Sequence, residues 1–161
     1  MQMRLCCTAV GQSDDEVGVD LYMLWVAGSI HLPRTAEVCE DNNQDVHNTA
    51  FWEGTAFRNE WGQESDVAAP WRALRDSVQR VFSTSAINTD LAGHALVAIA
   101  QNYANNDAEA AETMNSLIAD YRASDELPQP PGPLELENPG DPVQTTTGPD
   151  GTEVPVRDDD E

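Results

Sequence analysis

The side chains able to do chemistry in this chain are few and scattered. His31, His47 and His94 form no His-x-x-x-His or Glu-x-x-His unit, so no metal site is expected. Cys6, Cys7 and Cys39 are an odd set without a Cys-x-x-Cys spacing; they make neither a disulfide framework nor a zinc site, and the adjacent pair is too close to bond easily. There is no glycine-rich phosphate loop and no Gly-x-Ser-x-Gly. Glu109 and Glu112 stand one helical turn apart on a polar face, the pattern of solvated acids and not of an acid–base pair. With no constellation to which catalytic roles attach, no enzyme and no cofactor is expected. What remains is the chemistry of recognition. Tyr103 and Asp107, four residues apart, share one face of a continuing helix. An aromatic with a polar tip beside a carboxylate suits a basic groove on a partner. Tyr121 and Asp125 repeat the spacing, and Trp52-Glu53-Gly54 lies some fifty residues upstream.

The elements that would position these residues are helical. Ser29–Pro33 reads as a short extended lead-in, with Pro33 in the first turn of a helix running from Arg34 to about Phe57. Its apolar positions are Ala36, Val38 or Cys39, Val46, Ala50 and Phe57, and its middle, Asp41–Asp45, is a poor helix former expected to fray or kink. Residues 58–66 read as the connection, with Gly54 or Gly62 as terminators. A second helix, capped by Ser65 or Asp66 and carrying Pro70 in its first turn, shows the clearest pattern. Trp71, Leu74, Val78, Val81, Ser85, Asn88, Ala92, Ala95, Ile99 and Asn102 alternate spacings of three and four, and Phe82, Leu96 and Tyr103 widen the stripe. Asp107 can cap a further helix, Ala108–Tyr121, with Ala111, Met114, Leu117, Ile118 and Tyr121 on one side. No strand pattern and no internal repeat stands out. The expected fold is all-α: a flexible leader over residues 1–29, an antiparallel helical hairpin with a C-terminal helical extension over 30–124, and a disordered tail over 125–161.

Composition supports the tail and narrows the partners. At 161 residues there is room for one domain. Residues 126–161 hold eight of the ten prolines, ten acids, one base (Arg157) and no aromatic residue, too little apolar surface to offset the entropy of ordering. The net charge is −21, and all eight bases are Arg, with no Lys. Such a chain lacks the basic face that nucleic acid requires and is not drawn to anionic lipid. The longest apolar run, Leu21–Ile30, is too short to span a bilayer, and no Sec signal peptide is evident. Met23, near where the organised pattern begins, is an alternative start to Met1.

The run from Val67-Ala68-Ala69-Pro70-Trp71 through Ala92-Gly93-His94-Ala95-Leu96 to Ala100-Gln101-Asn102-Tyr103 and Asp107 resembles the Trp-x-Gly (WXG) helical-hairpin family, the cargo of actinobacterial type VII (ESX-type) secretion. The resemblance covers roughly residues 30–117 and is strongest over 67–114. It implies export without a Sec signal peptide and pairing with itself or with another WXG-like hairpin into a four-helix bundle. It also implies engagement by the secretion-system ATPase, which reads the helix-end Tyr and acid together with the partner's turn. On this chain Trp52 and Gly54 match the turn motif, and Tyr103 and Asp107 match the helix-end motif. Trp71, Leu74, Val78, Val81, Phe82, Leu96 and Ile99 would form the stripe available to a partner. The turn lies further ahead of the second helix than is usual, and Trp61-Gly62 is an alternative occupant. The competing expectation is a cytoplasmic acidic helical adaptor whose tail, through Pro128-Gln129-Pro130-Pro131-Gly132-Pro133, offers a polyproline II ligand to partner proteins.

Overall fold

A computed structural model describes residues 14–125 and 127–156. The chain is mostly helical. Helix α1 (Asp14–Val26) runs through a π-helical turn (Ala27–His31) into α2 (Leu32–Ala56), and α3 (Ala68–Ala104) and α4 (Ala108–Ala123) follow. Strands β1 (Thr145–Thr147) and β2 (Glu153–Pro155) pair antiparallel, with Thr146 opposite Val154. The chain divides into two compact units: the described residues up to His31 with Gly93–Gln129, and Leu32–Ala92 with the described residues from Pro130 onward.

The first unit has an apolar core. Leu21, Trp25, Val26 and Ile30 pack with Ala100 and Ala104 from the end of α3 and with Ala110, Met114, Ile118 and Tyr121 of α4. The ring of Trp25 meets Tyr121 edge-on at 5.8 Å, and the Arg122 guanidinium lies 5.6 Å from the Trp25 ring. Small residues set the helix spacing: a Cβ on Gly28 would lie 2.6 Å from the Gly93 carbonyl oxygen, and one on Gly18 would lie 2.6 Å from Thr113 Cβ. The stretch expected as a flexible leader is therefore helical from Asp14, because its apolar residues fill this core. Residues 1–13, including Cys6 and Cys7, lie outside the described residues. Ser29–Pro33 is likewise not an extended lead-in; it is the π turn and the start of α2. Pro33 has no N–H for the carbonyl four residues back, and its ring crowds that carbonyl, a conflict that a wider turn relieves.

The second unit is built differently. Its buried residues are Ala36, Ala68 and Ala86 together with four polar side chains, Asn43, His47, Asn48 and Gln79. Contacts link α2 and α3 in opposite chain order: Asn43 Nδ2 donates to the Gln79 carbonyl at 3.1 Å, Arg75 pairs with Glu53, and Phe57 meets Trp71 at 5.9 Å between ring centroids. Asp41–Asp45 neither frays nor kinks, because Asn43 is buried and bonded on both sides of its amide. The loop between the helices is organised by Asn59, whose Oδ1 accepts from the N–H groups of Trp61 and Gln63, while Gly62 takes φ +76°.

The tail departs most from expectation. From Leu127 to Val156, apart from its two strands, it has a defined but largely irregular backbone, and part of it lies against α2. The Glu135 N–H donates to Glu40 Oε1, the Glu137 N–H to Asn43 Oδ1 at 3.0 Å, and Asn48 Nδ2 to the Val156 carbonyl at 3.3 Å. Polar side chains of α2 and the backbone of an otherwise structureless segment thus satisfy one another. The strand pair is closed by Gly148-Pro149-Asp150-Gly151: the Gly151 N–H reaches the Gly148 carbonyl at 3.0 Å, Gly151 takes φ +82°, and Asp150 accepts from Thr152.

Candidate functional site

Tyr103 and Asp107 do not share a helix face. Helix α3 ends at Ala104, and the Asp107 carboxylate accepts from the N–H groups of Glu109 and Ala110 as the N-cap of α4. The expected patch needed a continuous helix; Asn105 and Asn106 break it, with Asn106 Nδ2 turned back onto the Asn102 carbonyl at 2.7 Å. Tyr103 is left alone at the helix end, 64 % exposed. Tyr121, of the second Tyr-x-x-x-Asp hit, is buried in the first unit's core, and its hydroxyl donates to the Pro128 carbonyl.

Trp52 and Gly54 are not in a turn. Both lie in the last two turns of α2, and a Cβ on Gly54 would meet nothing within 4 Å. The connection instead contains Trp61, 78 % exposed, and the positive-φ Gly62. Trp52 and Gly54 belong to one compact unit and Tyr103 and Asp107 to the other.

The apolar stripe of α3 faces largely outward. Trp71, Leu74, Val81 and Ile99 are exposed, whereas Val78, Phe82 and Leu96 are half-buried. The row that is buried recurs every seven residues as Gln79, Ala86, Gly93 and Ala100. Val78 and Gln79 are neighbours in sequence, so the apolar row and the buried row are offset by about 100° around the helix. Val67 extends the exposed row at its N-terminal end.

Sequence reasoning missed the buried polar cluster in the second unit. Asn43 and His47, one turn apart on α2, meet Gln79 of α3 and Glu137 of the tail. Gln79 Nε2 lies 3.4 Å from His47 Nδ1, and His47 Nε2, which has no hydrogen-bond partner, lies 3.8 Å from Glu137 Oε2. The i, i+4 spacing of Asn and His was the available signal, but nothing in it distinguishes a buried face from a solvated one. His47 is 2 % exposed, which leaves no open approach to its ring. Nearby, burial raises the pKa of Glu40 above its ordinary 4.5 against the lowering effect of the Glu135 N–H, with the Asp41, Glu135 and Glu37 carboxylates adding to the rise. At the surface, the hydrogen bond and charge of Arg72 lower that of Glu64, 2.5 Å away.

Among the described residues, no group of three His, Cys, Asp or Glu could hold a metal ion, and no helix is long and apolar enough to cross a membrane. Cys39 is a free, half-buried thiol. No protein-family profile, no curated protein and no solved structure matches the chain.

Proposed function

We propose that the chain is a non-enzymatic helical-hairpin protein, α2 and α3 forming the hairpin. It pairs with a second hairpin, in the simplest case a copy of itself, and leaves the cell by a type VII secretion system without a Sec signal peptide. The observation that carries this reading is the offset on α3: the second unit buries Asn43, His47, Asn48 and Gln79 while Val67, Trp71, Leu74 and Val81 remain in solvent. Hydrophobic surface is ordinarily the first to be buried. An arrangement with its polar groups inside and a contiguous apolar row outside is one that a partner completes.

Tyr103 supports the export half of the proposal, because its ring is free at the end of α3. In this reading Tyr103 is the side chain contacted by the secretion ATPase, and Asp107, committed to its cap, fixes the chain reversal that presents it. The turn half of the address falls to Trp61-Gly62. The test is export from an actinobacterial host carrying such a system, comparing the native chain with Tyr103→Ala and Trp61→Ala. The proposal expects both variants to accumulate inside the cell; unchanged export of Tyr103→Ala overturns the role given to that residue. A second reading, the cytoplasmic acidic adaptor, is favoured by the exposed Pro128, Pro130 and Pro133. Confinement of the native chain to the cytosol of that host would select it.

A further inference from the structure

Between α2 and the strand pair of the tail, the second unit holds a cleft of about 730 Å³. Asp45, Asn48, Thr49 and Trp52, spaced along one face of α2, form one wall, and Thr146, Val154, Pro155 and Val156 form the other. Most of its polar side chains are already engaged. Asn48 donates to the Val156 carbonyl and accepts from Gln44, the Thr49 hydroxyl donates to the Val46 carbonyl, and Asp45 already has a partner. Trp52 is different: it is 54 % exposed, and its indole N–H has no acceptor among the described residues. The exposed Thr146 hydroxyl is the other open group.

We infer that this cleft is a docking site for the uncharged proline run of a second copy of the chain, Leu127-Pro128-Gln129-Pro130-Pro131-Gly132-Pro133-Leu134. Hydrogen bonding narrows the occupant. An ordinary extended peptide brings an N–H at every residue, and among the side chains of the cleft only the Thr146 hydroxyl is left to accept one. Burying the others unpaired is unfavourable. A proline run brings carbonyls, which accept, and few N–H groups; its rings lie against an indole whose N–H reaches a carbonyl beside them. Val154, Pro155 and Val156 extend the apolar surface on the opposite wall. Length agrees: Asp45 to Trp52 spans about 10 Å of helix, and one polyproline II turn of three residues is about 9 Å long. The chain carries a net charge of −21, but this run carries none, so it approaches a second acidic copy without adding like-charge repulsion. Its Pro128, Pro130 and Pro133 are exposed. None of its residues lines the cleft of its own molecule, and the N–H groups of Glu135 and Glu137, just after it, are held by Glu40 and Asn43, ahead of Asp45 on α2. The occupant therefore comes from another molecule. The contact is heterologous, one run in one cleft, and independent of the pairing row on α3 and of export. A single polyproline II turn holds with a dissociation constant in about the millimolar range.

The experiment is a heteronuclear NMR titration of the isotope-labelled full chain carrying Val81→Asp, which removes pairing along α3. The ligands are the capped peptide Leu-Pro-Gln-Pro-Pro-Gly-Pro-Leu and its control Leu-Ala-Gln-Ala-Ala-Gly-Ala-Leu, and each variant is checked by circular dichroism. The expected result is a saturable shift of the Trp52 indole N–H signal with the proline peptide alone, while the indole of Trp61, 78 % exposed and outside the cleft, stays in place. Trp52→Phe, which keeps a ring and removes the donor, weakens binding about two- to tenfold, the worth of one hydrogen bond, as followed at the Val154 amide. Raising the chain alone to about millimolar concentration moves the Trp52 signal in the same direction, and Pro128→Ala, Pro130→Ala, Pro131→Ala and Pro133→Ala together abolish that movement. A Trp52 signal unmoved by the proline peptide overturns the inference, as does an equal response to the alanine peptide or an equal shift at Trp61. Peptide binding without the concentration-dependent shift, or with one that survives the four proline substitutions, overturns the second copy as occupant and selects a proline-rich segment of another protein.

Discussion

Gly28→Ala and Gly54→Ala form a matched pair whose opposite signs test the helix packing of the two units. Both glycines lie in helical segments, so both substitutions remove backbone freedom from the unfolded chain, a gain of about 0.4–1 kcal/mol where the native backbone accepts a Cβ. At Gly54 nothing lies within 4 Å of the new atom, and that gain should appear undiminished. At Gly28 the new Cβ meets the Gly93 carbonyl oxygen at 2.6 Å and Leu96 Cβ and Val97 Cγ2 at 3.0 Å. A carbonyl within a helix cannot turn aside as a side chain does, so the crossing of the π turn and α3 must open. Overpacking of this kind costs about 1–3 kcal/mol, or more where backbone has to move, and outweighs the gain. The net expectation is a loss of about 1–2 kcal/mol for Gly28→Ala. For a chain of this size that is a fall in Tm of about 2–8 °C, against a rise of up to about 4 °C for Gly54→Ala. Thermal unfolding followed by circular dichroism at 222 nm, at one concentration for all three proteins, measures both shifts. If Gly28→Ala melts at or above the native temperature, the close crossing at Gly93 and the packing of the first unit are refuted.

Two further outcomes follow from local chemistry. Asp107→Ala removes the acceptor for two N–H groups of α4 and should cost about 1 kcal/mol, with Asp107→Asn or Asp107→Ser retaining most of the stability; urea denaturation of the set gives the comparison. Glu40 has its folded pKa raised above the unfolded 4.5, foremost by burial, so the folded state binds protons more readily and the penalty on its charged form sets in as pH rises through that raised pKa. Glu40→Gln keeps an oxygen for the Glu135 N–H, so its Tm should exceed the native value at pH 7 and converge on it at about pH 4; a native advantage at pH 7 would contradict the assignment.

Several elements were legible before the structure. Helix α3 announced itself through Pro70 and an apolar repeat alternating threes and fours, although it starts at Ala68 and not directly after the expected cap Ser65 or Asp66; Asp107 was readable as a cap because an Asp ahead of an alanine-rich amphipathic stretch satisfies orphan N–H groups. Which face of α3 is buried was not legible. Gln79, Ala86, Gly93 and Ala100 carry no hydropathy signal, and close packing selects them for smallness or for a hydrogen bond, while the apolar row that reads as a core face lies outside. Helix α1 was obscured because Leu21, Tyr22, Leu24, Trp25 and Val26 are apolar almost all round, a pattern without a period. The tail was judged by its bulk composition, which overlooks the turn chemistry of Pro149-Asp150-Gly151 between β-branched residues and the unmet polar groups of α2 that its backbone satisfies. The candidate address depended on helix boundaries, the least legible feature of all: a helix end at Ala104 separates Tyr103 from Asp107, and one at Ala56 leaves Trp52 and Gly54 inside α2.

The proposed function requires the exposed apolar row of α3 to be a pairing surface. Large apolar side chains gain about 1.5–3 kcal/mol each on full burial, so a row of four supports association at micromolar to submillimolar concentration even after the cost of ordering two chains. Sedimentation equilibrium of the full chain against Val81→Asp measures this directly, because Val81 is 63 % exposed and its substitution leaves the buried rows intact. A concentration-dependent dimer is expected for the native chain and a monomer for Val81→Asp, the two sharing one Tm at concentrations low enough that the native chain is dissociated. A native chain that stays monomeric up to roughly the submillimolar range these burial energies imply, or a dimer that Val81→Asp leaves intact, would contradict it.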